Sequence, residues 1–187
     1  NGKNSGEFSA IFYRKDIYNV YDSDTFWLSE TPEEPSVGWD ASMNRICTWA
    51  ILENKETGAM YMHINSHFDH KGEEARKKSV ELILEKAAMY DYLPVVFTAD
   101  MNVVEGSENY IQMTSGCLKD TKYLTDDSMN YLTYHDTKPL SHRGDVIDYV
   151  MVNDKFNVLS YKVVTAGIDN RYVSDHFPVY ADLEIKK

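Results

Sequence analysis

Cysteine is scarce in this sequence: Cys47 and Cys117 are the only two in 187 residues. Neither belongs to a Cys-x-x-Cys pair or a zinc-type cluster, so a cysteine-built metal site is excluded, while two thiols leave the cellular compartment open. Long apolar runs are missing as well, and no stretch approaches membrane-spanning length. The first residues, Asn1 to Glu7, are polar and contain neither an initiator Met nor a signal-type apolar region, so any targeting sequence is expected to have been removed or never to have existed. Positive charge is also in short supply. Nineteen Lys and Arg stand against 30 Asp and Glu, a formal net charge of -11, and the basic residues form no long run. Tight sequence-independent binding to long nucleic acid is therefore disfavoured, although a local basic pocket for a small phosphate remains compatible with the composition.

What is present is ordinary globular material. Hydrophobic residues make up 43% and charged residues 26%, close to the averages for folded soluble domains, and neither an internal repeat nor a low-complexity tract occurs. The length fits one domain over residues 1–187.

The order of elements follows from periodicity and punctuation. Phe8 to Tyr13 reads as a strand, followed by a loop from Asp22 to Asp40 rich in Asp, Ser, Pro and Gly. Strands are expected at Arg45 to Glu53 and Ala59 to Ser66, joined by a turn at Asn54-Lys55-Glu56-Thr57-Gly58. From Gly72 to Asp91, apolar residues at helical spacing with Glu73 and Glu74 in the first turn predict an amphipathic helix. Leu93 to Thr98 is a short apolar run of the kind buried on both faces of a sheet. Ser107 is placed to cap a short helix to Met113, and Ser115 to Tyr131 reads mostly as loop. Three further strands are expected at Val146 to Val152, Val158 to Thr165 and Phe177 to Ile185. Strands in series with one long helix between them suit sheets covered by helices.

Four polar clusters fall at the ends of these strands: Asn65-Ser66-His67-Phe68-Asp69-His70, Asp100-Met101-Asn102, Arg143-Gly144-Asp145-Val146-Ile147-Asp148 and Ser174-Asp175-His176. Strand ends are where a rigid scaffold presents reactive groups. Singly, each has an ordinary reading as a turn or a loop-ordering contact. Together they supply what phosphoester hydrolysis needs: carboxylates to hold a hard cation and take a proton from water, an amide to fix the nucleophile, and imidazoles to bind or protonate the phosphoryl group.

With these residues in order along nearly the whole chain, the sequence resembles the endonuclease/exonuclease/phosphatase superfamily, the fold also used by pancreatic deoxyribonuclease. The family's Asn-Thr-His-Phe/Leu-Asp-His stands here as Asn65 to His70, its Gly-Asp-Phe-Asn as Ala99 to Asn102, and its Arg-Ile-Asp-Tyr as Val146 to Tyr149. Its Ser-Asp-His-Phe-Pro-Val, the most specific of the four, stands as Ser174 to Val179. Phe12-Tyr13-Arg14, Phe26 to Pro32 and Arg45 to Trp49 are similar to small bacterial members, a branch that is often exported. The resemblance implies an α/β (α+β) four-layered sandwich, two central mostly antiparallel sheets flanked by helices, with the site at one end of the sheets. It implies His176 as general base or phosphate ligand, Asp148 as its partner, His67 on the scissile phosphate, and Asp100 with Asn102 orienting the attacking water. Asp175 and Asp100 would be metal-linked carboxylates and magnesium the cofactor, with manganese as an alternative. Apart from the resemblance, Arg143 is a substrate-binding candidate, since a guanidinium can face a substrate phosphate.

Other polar residues carry competing readings. Arg143 could instead pair with Asp145 on the surface, Asp69 and His70 could cap a helix or order a loop, and His135 and His142 read as solvated loop residues. Most of the 14 Tyr are read as packing residues. The family's glycine before the catalytic Asp is Ala99 here, with a small geometric effect expected. Members also open with a strand carrying an Asn and a strand ending in Gln-Glu, whose Glu binds the metal; neither is found before Phe8. The sequence is accordingly expected to be an N-terminally truncated domain, with magnesium held weakly, low activity, and association with itself or with the absent segment. The substrate expected is a small phosphodiester or phosphomonoester such as a sugar phosphate, inositol phosphate or lipid headgroup. A nuclease on DNA or RNA, or a binding remnant without catalysis, are the competing functions.

Overall fold

The computed structural model describes residues 6–136, 144–167 and 172–186. Its main sheet begins with β1 (Tyr18–Trp27), β2 (Ile46–Asn54) and β3 (Met60–His67), an antiparallel meander. The turn between β2 and β3 forms because the Asn54 Oδ1 accepts the amides of Glu56 and Thr57, and Gly58 takes a positive φ of 70° that a side chain would resist. Helix α1 (Glu73–Met89) then carries the chain back, so that β4 (Val95–Asp100) lies parallel to β3. Helix α2 (Glu108–Ser115) and the two-residue β5 (Lys119–Asp120) follow, and β6 (Asp148–Val152) inserts between β4 and β5. Strands β7 (Phe156–Val163) and β8 (Val179–Ile185) form a second, antiparallel sheet.

Alternation of side chains along the strands separates two cores. Cys47, Trp49, Ile51, Met62, Ile64, Val95, Phe97 and Met151 face α1, which buries Ala75, Val80, Ile83 and Ala87 at three- and four-residue spacing. On the opposite face, Val96, Val150 and Val152 meet Phe156, Val158, Val179, Ala181 and Leu183 of the second sheet. Strand β4 is thus buried on both sides, as its unbroken apolar run predicts. The result is an α/β sandwich of two sheets with helices packed on the outside of the larger one. No helix of the described residues is long and apolar enough to cross a membrane.

Two expectations fail at the start of the chain. Phe8 to Tyr13 is not a strand, and Phe12 is 93% exposed. The first strand is Tyr18–Trp27, six of whose ten residues lie in the expected loop. Its run Asp22-Ser23-Asp24 breaks alternation, but β1 is an edge strand with a bulge between Val20 and Asp22, where polar residues can face water. The Phe8 to Tyr13 segment instead crosses the strand ends, tied by the Ser9 hydroxyl to the Ile46 carbonyl and by the Asn65 amide to the Ala10 carbonyl. The expected loop from Ser115 to Tyr131 also contains β5 and a 3-10 turn at Thr121–Tyr123.

Candidate active site

The strand register alone lines up three of the reactive residues. His67 ends β3 and lies opposite Asp100, the last residue of β4, and Asp100 lies opposite Asp148, the first residue of β6. His176 is brought to the same place by a short strap: Tyr134 bridges His176, the Phe177 amide donates to the Thr133 carbonyl at 2.7 Å, and the His135 amide donates to the Asp175 carbonyl at 2.9 Å. The Thr133 hydroxyl oxygen accepts the amides of Ile147 and Asp148 at 3.0 and 3.1 Å, which fixes the strap to the start of β6.

In this frame His176 Nδ1 meets Asp148 Oδ2 at 2.8 Å, and its Nε2 faces Asp100 Oδ2 at 3.9 Å. The hydrogen bond to Asp148 raises the pKa of His176 against the cost of burial, with Asp100 and Asp175 adding to the rise. His67 Nε2 lies 3.3 Å from the same Asp100 oxygen. Burial lowers the pKa of His67, opposed by the nearby Asp100 and Glu7 carboxylates. Burial, then repulsion from Asp148, raises that of Asp100. Asn102 adopts a left-handed backbone, φ 48°, and so turns the chain just past β4. Its amide donates to Asp100 Oδ1 at 2.9 Å, and its side chain donates to the Phe68 carbonyl at 3.0 Å. Ala99 lies in the extended, buried β4 and has no positive φ, so a glycine there is not required for backbone conformation.

The structure therefore brings His67, Asp100, Asn102, Asp148 and His176 together. Asp175 stands apart. It is exposed, and it falls outside the one group of carboxylate and imidazole donors that converge within 4.8 Å among the described residues, namely Asp100, Asp148 and His176. Asp175 belongs to the bend that precedes the bridge at His176 and is left in solvent there. Arg143 and His142 lie outside the described residues. His135, expected to be solvated, is buried, with its ring 4.3 Å from that of Phe177.

Sequence reasoning missed one arm of the site. Glu7 Oε2 lies 3.4 Å from His67 Nδ1 and 2.5 Å from Arg45 Nη1, extending a line Arg45, Glu7, His67, Asp100. Arg45 is only 4% exposed and also approaches Asp69 and His70. A buried guanidinium must be paired, and the signal was an Arg at the head of an apolar strand. Glu7 carried no signal, because its role depends on a segment that is not a regular element.

Two carboxylates and an imidazole suit a hard divalent cation. Such an ion takes oxygen ligands and keeps several waters, so Asp100 and Asp148 with solvent meet its needs, and His176 can remain on Asp148.

No protein-family model matches this sequence, and no curated protein matches it. Solved structures do. A mannosyl-6-phosphatase of Bacteroides thetaiotaomicron VPI-5482 superposes with a TM-score of 0.92 at 37% identity, over 98% of this chain and 73% of that one. An endonuclease/exonuclease/phosphatase family protein of the same species gives 0.90 at 38%, over 97% and 71%. The chain belongs to the endonuclease/exonuclease/phosphatase family. The human Nocturnin catalytic domain, at 19% identity and a TM-score of 0.70 over 92% of this chain and 62% of that one, shares the fold. Phosphatases and nucleases both cut phosphoester bonds, so phosphoester hydrolysis is the activity at family level.

Proposed function

We propose that this chain hydrolyses a small phosphoester, a phosphate carried on a sugar-like alcohol, with water as nucleophile and magnesium as cofactor. The observation that carries the reading is the Asp148–His176 pair at 2.8 Å facing Asp100 across the strand ends. The net charge of -11 favours a small substrate over a nucleic acid, and a relative 37% identical is a mannosyl-6-phosphatase.

Asp148 fixes the His176 ring through Nδ1 and favours its protonated form, leaving Nε2 to donate to a phosphoryl oxygen. Asp100, held by the Asn102 amide and with its pKa raised, orients the attacking water and takes its proton as the new phosphorus–oxygen bond forms. His67 hydrogen-bonds the phosphoryl group, takes up the proton captured by Asp100 through Nε2, 3.3 Å from Oδ2, and returns it to the oxygen that leaves as the old bond breaks. Asp100 and Asp148 would hold the cation, which when bound supplies charge neutralisation at the phosphoryl oxygens.

The test is phosphate release from hexose 6-phosphates in magnesium buffer by the chain and by His176→Ala. Release that is abolished in the variant supports the reading. Equal release by both, or none by the parent chain, overturns it.

A further inference from the structure

Beside the reacting centre, on the helix side of the β4 end, lies a cleft of about 380 Å³ between the first turns of α1 and α2. Its size is that of a small-molecule site. Asn102, which holds Asp100, forms one wall, so a molecule with its phosphate on His67 and His176 can extend over Asn102 into it. Glu73, Lys77, Glu108 and Asn109 line the cleft, and their side chains make no hydrogen bond or ion pair within the described residues. Around the hollow, with Val103 buried and Val104 at its surface as the apolar part of the lining, these four polar side chains have no partner among the described residues.

Its chemistry selects the occupant. A second phosphate is disfavoured, because three carboxylates, Glu73, Glu74 and Glu108, outnumber Arg76 and Lys77. Nor are the helix amides free for an anion. Asp40 already accepts the Ala75 and Glu74 amides of α1, and the Ser107 hydroxyl accepts the Tyr110 amide of α2. A nucleobase would want an aromatic platform, and the lining contains no ring. Carboxylates, an amide and an ammonium beside an apolar lining match vicinal hydroxyls on a C–H face. Resting on the hydrolase reading above, we infer that this cleft binds the polyhydroxylated leaving group, with Glu108 and Asn109 as the residues that select a sugar over a simple alcohol.

The experiment uses two readouts. The first is kcat/KM for mannose 6-phosphate relative to phenyl phosphate in the chain, Asn109→Ala and Glu108→Gln. Loss of a hydrogen bond to a hydroxyl predicts that this ratio falls about tenfold in each variant. The second is calorimetric binding of mannose 6-phosphate against inorganic phosphate, which needs no turnover. Here the chain should prefer the sugar phosphate, and the variants should lose that preference. Unchanged ratios or an unchanged binding preference in folded variants overturn the cleft assignment. Sugar-selective binding without hydrolysis would overturn the proposed reaction and leave the cleft standing.

Discussion

His63 lies on β3, and its Nε2 is 2.9 Å from the Thr98 hydroxyl, which in turn donates to Asn65 Oδ1. The hydroxyl proton is thus committed to Asn65, and His63 must donate through Nε2 as the neutral ring. Burial lowers its pKa from 6.5 to about 4. Because the unfolded chain takes up that proton first, the stability is fully present above pH 6.5 and is lost as pH falls towards about 4. Thermal unfolding should therefore show a lower midpoint at about pH 5 than at about pH 7, with a smaller difference in His63→Gln. An unchanged difference would remove His63 as the cause. Burial of His67 acts in the same direction, so the comparison between variant and parent isolates His63. Asp69 works by hydrogen bonding. Burial alone would raise its pKa, but the Gly72 and Lys71 amides and the Ser42 hydroxyl hold the carboxylate far below the usual range. It also faces the buried Arg45 at 3.5 Å. Asp69→Ala should cost about 3 kcal/mol in denaturant unfolding. A loss under about 1 kcal/mol would mean that Glu7 alone satisfies Arg45.

At the scale of elements, α1 shows what one sequence can and cannot reveal. Its amphipathic face was legible, and Ile83, fully buried against the sheet, should cost about 3 kcal/mol when cut to Ala. Its cap was not legible. The N-terminal amides are bonded by Asp40, from a loop more than thirty residues upstream, and Gly72 makes room for it: a Cβ at Gly72 would come within 2.6 Å of Asp40 Oδ1. Gly72→Ala should destabilise by about 1–3 kcal/mol, measured by urea unfolding, and a neutral result would show that the loop moves freely. The same division holds for the site. Strand ends at His67, Asp100 and Asp148 could be placed from apolar periodicity, because register carries three adjacent residues into one line. Glu7 and the strap Thr133 to His135 could not, since both depend on irregular segments held by backbone hydrogen bonds. The strand expected at Phe8 to Tyr13 failed for a related reason: apolar alternation does not distinguish a paired strand from an extended crossing.

Across the whole molecule, the larger sheet gathers Asp100 and Asp148 at the ends of β4 and β6, beside His176, in a chain of net charge -11. Carboxylates gathered there repel one another until a cation binds, so magnesium should raise the thermal midpoint of the folded chain, and Asp100→Asn should remove most of that rise. No shift with magnesium in the parent chain would count against Asp100 and Asp148 as its ligands. The proposed hydrolysis makes Asp148 and His176 one unit. Its most direct test is kcat/KM for a hexose 6-phosphate in Asp148→Asn, His176→Ala and the double variant. The pair at 2.8 Å predicts that each single change costs roughly 100-fold or more and that the double variant is hardly worse than His176→Ala. Losses that multiply in the double variant, or a single variant that keeps full activity, would contradict it.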